Sequence, residues 1–137
     1  MGAAVAEADL LIGAVLVPGA RAPRVVNESM VQSMRGGAVI VDVAIDQGGC
    51  IETIRATSRS APVFMAHGVV HYAVPNMPGA VPHTSTLALT AATLPYIQKL
   101  ARLGVDDTLI DAPEFAESLN VRNGKITHPA VAQPLGR

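Results

Sequence analysis

Apolar residues gather in two near-continuous runs, at 10–17 and 39–45, and each run ends at a change of character. Pro18-Gly19 closes the first, while Asp46 followed by Gly48-Gly49 closes the second. Runs of this length predict strands covered on both faces, as in parallel sheets, although periodicity alone does not separate them from a buried helix. Between them Val26, Met30, Val31 and Met34 keep helical spacing, with Asn27 as an N-cap and Arg35-Gly36-Gly37 as the stop. Strand, loop, helix and strand in that order form a βαβ unit, right-handed by default. Residues 3–8, ahead of the first run, read as the tail of a helix.

The polar stretch 56–62 reads as a surface loop. Residues 63–66 and 69–74 then predict two paired strands around a His67-Gly68 turn. Pro75, Pro78 and Pro82 stiffen a loop that carries Asn76 and Met77. Thr84 or Ser85 is placed to cap a long helix that Pro95 should kink and Gly104 should close after Leu103. Up to Tyr96 this helix is apolar nearly all round, the pattern of a helix buried between layers, domains or subunits. The remaining signals are Asp111 as the cap of a short helix at 113–118 and an Asn123-Gly124 hairpin. Thr127 and Pro129 should open a last helix, which Pro134 should cut short.

Composition narrows the class. The chain has 137 residues, is 50% hydrophobic and only 15% charged, so it is globular and long enough for a core. Aromatic residues are 3%, which leaves the core to Ala, Val, Leu and Ile, the usual filling of layered α/β folds. A net charge of -1 offers no footprint for nucleic acid or an anionic membrane surface. The run 10–17 is too short to span a bilayer, and the N-terminus lacks the pattern of a signal peptide. The single cysteine, Cys50, excludes an internal disulfide and fits a reducing compartment, so a cytoplasmic location is expected.

Ligands of open α/β sheets bind just beyond the carboxyl ends of the strands. Asp46 would sit in such a crevice, and Gly48-Gly49 would allow close backbone approach; a solvated turn fits the local pattern equally well. No GxGxxG, P-loop, CxxC, HExxH or GxSxG occurs. A strand-rich chain with a ligand loop but no glycine fingerprint looks like the second half of a dinucleotide domain, because the fingerprint lies in the first half. His67, His71, His83 and His128 have no metal-ligand spacing, so no metal site is expected, and only His83 lies near the stiff loop. Cys50 reads as a small buried residue and Arg55 as either an anion partner or a surface ion pair.

With these residues in view, the chain resembles the alanine dehydrogenases, a family shared with the NAD-binding subunit of nicotinamide nucleotide transhydrogenase. The resemblance runs nearly end to end. It rests on residues 12–20 and 41–50, on 74–81 with Asn76-Met77-Pro78, and on Thr84-Ser85-Thr86 with 87–95. Transhydrogenase relatives generally carry Glu where Asp46 stands and lack the Asp-Gln-Gly-Gly pattern, which favours the dehydrogenase. The resemblance implies NAD-dependent oxidative deamination of L-alanine to pyruvate and ammonium, with Asp46 catalytic beside the nicotinamide ribose. It also implies cofactor contacts at Val15, Leu16, Val43, Ala44, Ile45, Asp46, Arg55, Val74, Pro75, Asn76 and Met77. Pro75 departs from the more usual Ala, which would stiffen that wall.

By the same resemblance the fold is α/β, with the second half of a Rossmann-type doubly wound parallel sheet at 1–82. A long kinked connecting helix then fills 83–104, and 105–137 form a small C-terminal part of the substrate domain. Family members carry, ahead of the matching stretch, the catalytic His, the carboxylate-holding Lys and Arg and the glycine fingerprint, none of which has a counterpart here. A C-terminal portion is therefore expected, with the missing N-terminal half as its partner and a homo-oligomer, hexameric in the family. Two function classes stay open: part of an alanine dehydrogenase, or a non-catalytic module that binds a partner or NAD, with a transhydrogenase-like subunit as a variant.

Overall fold

A computed structural model describes residues 1–133. The expected stop at Pro134 lies outside the described residues. Two compact units divide the chain, Met1–Met77 and a second beginning at Pro78.

The first unit is α/β. Helix α1 (Gly2–Glu7) leads into strand β1 (Leu10–Gly13), followed by helix α2 (Glu28–Gln32) and strand β2 (Val39–Asp42). A 3₁₀ turn at Val43–Gln47 leaves β2, and strands β3 (Val63–Ala66) and β4 (Val69–Tyr72) complete the sheet. The sheet order is β1-β2-β4-β3, with β1, β2 and β4 parallel and β3 antiparallel at one edge. Asn27 caps α2 as expected, its side chain accepting from the Met30 N–H at 3.0 Å, although the helix ends at Gln32 rather than near Met34. His67 and Gly68 turn the β3–β4 hairpin with φ of 53° and 75°.

The first apolar run forms a strand only as far as Gly13, because its partner β2 ends opposite it at Asp42. A Cβ on Gly13 would come within 2.6 Å of Cys50 Sγ, so the strand closes at a position with no room for a side chain. Residues 14–17 lie outside the ladder.

Only one face of this sheet is covered within the unit. Ile40, Asp42, Val69 and His71 are buried on one side, where the core also takes in Val5, Val31, Met34, Ile51 and Ile54. Side chains alternate along a strand, so the opposite face carries Leu10, Ile12, Val39, Val41, Val70, Tyr72, Met65 and Val63. At its edges this apolar face is open: Ile12 and Met65 are each 61% exposed. The expectation of strands covered on both sides is thus met on one side only, since α1 and α2 are the helices of this unit.

In the second unit helix α3 runs over Pro82–Asp111. Pro82 opens it in place of a Thr84 or Ser85 cap, and the Ser85 hydroxyl donates instead to the Pro78 carbonyl at 2.9 Å. Proline suits a first turn, whose N–H has no intrahelical partner anyway. Helical geometry breaks at Gly104 (φ 76°, ψ 176°), where the helix was expected to close, while Pro95 lies within the helix. Leu87, Leu89, Tyr96 and Ile97 are exposed, so the expected burial of this apolar helix is not met among the described residues. No helix there is long and apolar enough to cross a membrane.

Beyond the break, Asp111 pairs with Lys99 Nζ at 2.9 Å rather than capping the 3₁₀ turn Pro113–Ser118, and that bond holds its carboxyl below the usual range. Asn123 and Gly124, at φ 50° and 77°, turn the hairpin of β5 (Val121–Arg122) and β6 (Lys125–Ile126). Helix α4 (Pro129–Ala132) is capped by His128, whose Nδ1 accepts from the Ala130 N–H, while Thr127 donates to Leu119.

Candidate functional site

Strands β1 and β2 end side by side, and the chain leaving each forms one wall of a cleft of about 330 Å³. Ala14, Val15 and Leu16 follow β1; Val43, Ala44, Asp46 and Gln47 belong to the 3₁₀ turn after β2. The lining is apolar apart from Asp46 and Gln47, and the volume lies at the lower end of small-ligand pockets, roughly 300–1,000 Å³.

Asp46 is exposed, and both its carboxylate oxygens accept from one donor, the Asn76 N–H, at 3.1 and 3.2 Å. Asn76 has φ 50°, a left-handed conformation that Asn tolerates better than most residues. Asp46 thus ties the loop after β2 to the loop after β4. A carboxylate has about four acceptor sites, so most of its capacity stays open toward solvent.

The turn bearing Asp46 is fixed from several sides. Gly48 N–H donates to Ile45 and Gly49 N–H to Ala44, and the Gln47 carbonyl accepts from Ala22 N–H at 3.0 Å. Gly48 and Gly49 have φ of 97° and 79°, and a Cβ on Gly49 would overlap the Ile54 methyl and lie 2.9 Å from Asp42 Oδ2. Here glycine is required for space as well as for conformation.

The other expected contacts fall into three places. Ile45 and Val74 are buried, at 8% and 3% exposure, and are not among the residues that line the cleft. Pro75 and Asn76 are exposed and Met77 half-buried, along the loop that Asp46 holds. Arg55 lies apart: its guanidinium covers the Phe64 ring at 4.1 Å and, among the described residues, joins no ion pair. Phe64 in turn stacks on His71 at 4.9 Å. The His71 ring is fully buried, with Nε2 2.8 Å from Thr53 Oγ1 and Nδ1 3.0 Å from the Val69 carbonyl, a structural role as expected. Burial holds this imidazole below its ordinary value, against the pull of the Val69 carbonyl. His83 is exposed on the first turn of α3.

Three residues at this sheet end were not singled out from the sequence as site residues. Ala14 and Gln47 line the cleft, and Gln47 Oε1 is buried without a hydrogen-bond partner among the described residues. Asp42 is wholly buried behind the turn, where Oδ2 accepts from the Cys50 N–H at 2.8 Å and the Ile51 N–H at 3.3 Å. The signal for Asp42 was an acid at the end of an apolar strand. Cys50 is buried as expected, and burial first, then the Asp42 charge, pushes its thiol up.

The family model "Alanine dehydrogenase/PNT, C-terminal domain" matches residues 1–129. An alanine dehydrogenase from Bacillus subtilis is 57% identical over 97% of this chain, and one from Halomonas elongata is 55% identical over 97%. A solved L-alanine dehydrogenase superposes over 98% of the chain with a TM-score of 0.79 and 57% identity. A transhydrogenase from Sinorhizobium meliloti gives 0.63 and 28% over 94%. The chain spans 35–36% of the length of those two curated relatives. It belongs to the alanine dehydrogenase family, matching that family's C-terminal domain.

Proposed function

We propose that this chain forms the C-terminal portion of an NAD-dependent alanine dehydrogenase, cytoplasmic and oligomeric, and that the cleft beside Asp46 receives the nicotinamide end of the cofactor. In this reading residues 1–82 are the second half of a Rossmann-type NAD domain, 83–104 connect, and 105–137 belong to the substrate domain. The observation that carries it is Asp46 itself: an exposed carboxylate at an apolar strand-end cleft, held by Asn76 of the neighbouring strand-end loop. The transhydrogenase-like reading is weaker, since that neighbour is less similar in both sequence and structure.

The residues present fit the cofactor. Ala14, Val15, Leu16, Val43 and Ala44 give an apolar wall suited to a flat ring, and the orphaned Gln47 Oε1 is an acceptor awaiting a donor. When bound, NAD(+) supplies the hydride acceptor, so that L-alanine is oxidised at C2 to an imine that water hydrolyses to pyruvate and ammonium. Asp46 accepts hydrogen bonds from ribose hydroxyls or a substrate-derived water. Its charge also stabilises the cationic character that develops as the amine becomes an iminium. Arg55, whose guanidinium lies over the Phe64 ring, is in this reading a partner for ribose or phosphate oxygens farther along the cofactor. Ile45 and Val74 contribute backbone groups, and Pro75, Asn76 and Met77 line the opposing loop.

The proton acceptor and carboxylate anchors of the reaction have no counterpart in these residues, so the missing N-terminal half supplies them in this reading. The open sheet face and the exposed apolar side of α3 are surfaces for that half and for subunit contacts. The test joins the chain, by fusion or co-expression, to the N-terminal portion of the Bacillus subtilis relative. L-alanine-dependent reduction of NAD(+) by the assembly, with none by the 137-residue chain alone, is the expected result. Turnover by the chain alone would overturn the division of labour.

A further inference from the structure

We infer that Asp42 is a positioning residue for Asp46: its buried carboxylate clasps the backbone at Cys50 and Ile51 and thereby sets the turn that presents Asp46 to the cleft. This rests on the reading of Asp46 given above. Asp42 is the last residue of β2 and is wholly shielded from solvent. Its Oδ2 accepts two backbone N–H bonds from the far limb of the turn, at 2.8 and 3.3 Å, and Oδ1 lies 3.6 Å from the Cys50 thiol. Both ends of the Val43–Gln47 turn are therefore anchored on one residue: its entry by the peptide chain, its exit by the carboxylate.

Two features make this clasp stiff. Glycine stands at both places where a side chain would crowd it: a Cβ on Gly13 would lie 3.2 Å from Oδ1, and one on Gly49 2.9 Å from Oδ2. The clasped limb is also held from behind, because the Cys50 carbonyl accepts from Val25 N–H at 2.8 Å and Ile51 bridges to Val26. Charge-assisted bonds from a carboxylate to backbone N–H are roughly twice as strong as neutral ones. Asp42 is not itself a lining residue of the cleft and does not bond Asn76, so the hydrogen-bonded route from it to the loop after β4 runs through the turn and Asp46.

The first test needs no cofactor. Amide hydrogen exchange of the 137-residue chain is compared for Asp42→Ala and Asp42→Asn, with Ile40 in the central strand as the reference for global opening. The expected result is faster exchange at Cys50 and Ile51 and also at Asn76, on the order of tenfold for Ala and less for Asn, which keeps one acceptor oxygen. In an Asp46→Ala background the Asp42 substitutions should leave Asn76 unchanged. Acceleration confined to Cys50 and Ile51, or an Asn76 effect that persists without Asp46, would overturn the proposal. If Asp42→Ala does not fold, Asp42→Asn decides by the same criteria.

The second test is kinetic, in the assembled enzyme. Asp42→Ala should lower kcat roughly ten- to a hundredfold, as misplacement of a reacting group by about 1 Å does, with KM for NAD(+) changing less. Asp42→Asn should fall between. Neither loss should add to that of Asp46→Asn, since residues acting as a unit are non-additive. Additive losses, or normal kcat in folded variants, would refute the positioning role. Asp46→Asn with unchanged kcat would instead remove the underlying reading of Asp46.

Discussion

Alanine in place of Gly49 should be among the most damaging single-methyl additions in the first unit, and the structure separates its cost into two parts. At φ 79° an L-residue sits in the left-handed region, which costs about 1–2 kcal/mol. The new methyl would also overlap the Ile54 side chain and crowd Asp42 Oδ2 at 2.9 Å and Arg24 Nη1 at 3.2 Å. Overpacking of this kind costs about 1–3 kcal/mol, giving a total of about 2–5 kcal/mol when the parts are added. Two glycines serve as controls. Gly37 has φ 85° with nothing within 4 Å of an added Cβ, so it isolates the conformational cost; Gly36 has open space and no positive φ, so its substitution should be near neutral. Urea unfolding of the 137-residue chain, compared at one protein concentration, reads the series. With a slope of about 1–3 kcal/mol per molar, the midpoint for Gly49→Ala should fall well below that for Gly37→Ala. Equal midpoints for these two variants would refute the close packing inferred around the Asp46 turn.

His71 should make stability depend on pH. Its imidazole is held below the ordinary 6.5 by burial, so as pH falls below that value the unfolded chain takes up a proton that the folded chain resists. Stability should be full above pH 6.5 and decline below it. His71→Gln should flatten that decline in denaturant titrations across the range, and an unchanged slope would count against it; His67, Arg55 and Glu28, the charged groups nearby, are common to both proteins. The open sheet face should make the chain self-associate and bind a hydrophobic dye, with Ile12→Lys reducing both, because that side chain is 61% exposed at the sheet edge. A monomer by sedimentation with no dye binding would contradict it.

Much of the first unit was legible because its signals are local. Asn27 could be read as a cap and His67-Gly68 as a turn from residue chemistry alone, as could Asn123-Gly124 in the second unit; the two apolar runs hold the parallel strands only over 10–13 and 39–42, since 43–45 form the 3₁₀ turn. Errors arose where a partner decides. Residues 14–17 look like strand, but β2 ends at Asp42 and leaves them nothing to pair with. Thr84, Ser85 and Asp111 are good caps by type, yet Pro82 opens α3 and Lys99 claims Asp111. The break at Gly104 was legible, since it is the residue free to adopt φ 76°. Asp46 was visible as an acid beyond a strand. Its hold on Asn76, 30 residues away, and the clasp of Asp42 on Cys50 are tertiary contacts that sequence spacing does not reveal.

The central claim is that Asp46 acts in the chemistry and does not merely shape a turn. Asn is nearly isosteric with Asp and can still accept from the Asn76 N–H, so Asp46→Asn removes the charge while keeping the loop tied. Measured in the assembled enzyme, kcat should fall on the order of a hundredfold, with a smaller change in KM for NAD(+) and a melting temperature close to that of the parent. A stable Asp46→Asn enzyme with unchanged kcat would contradict the account.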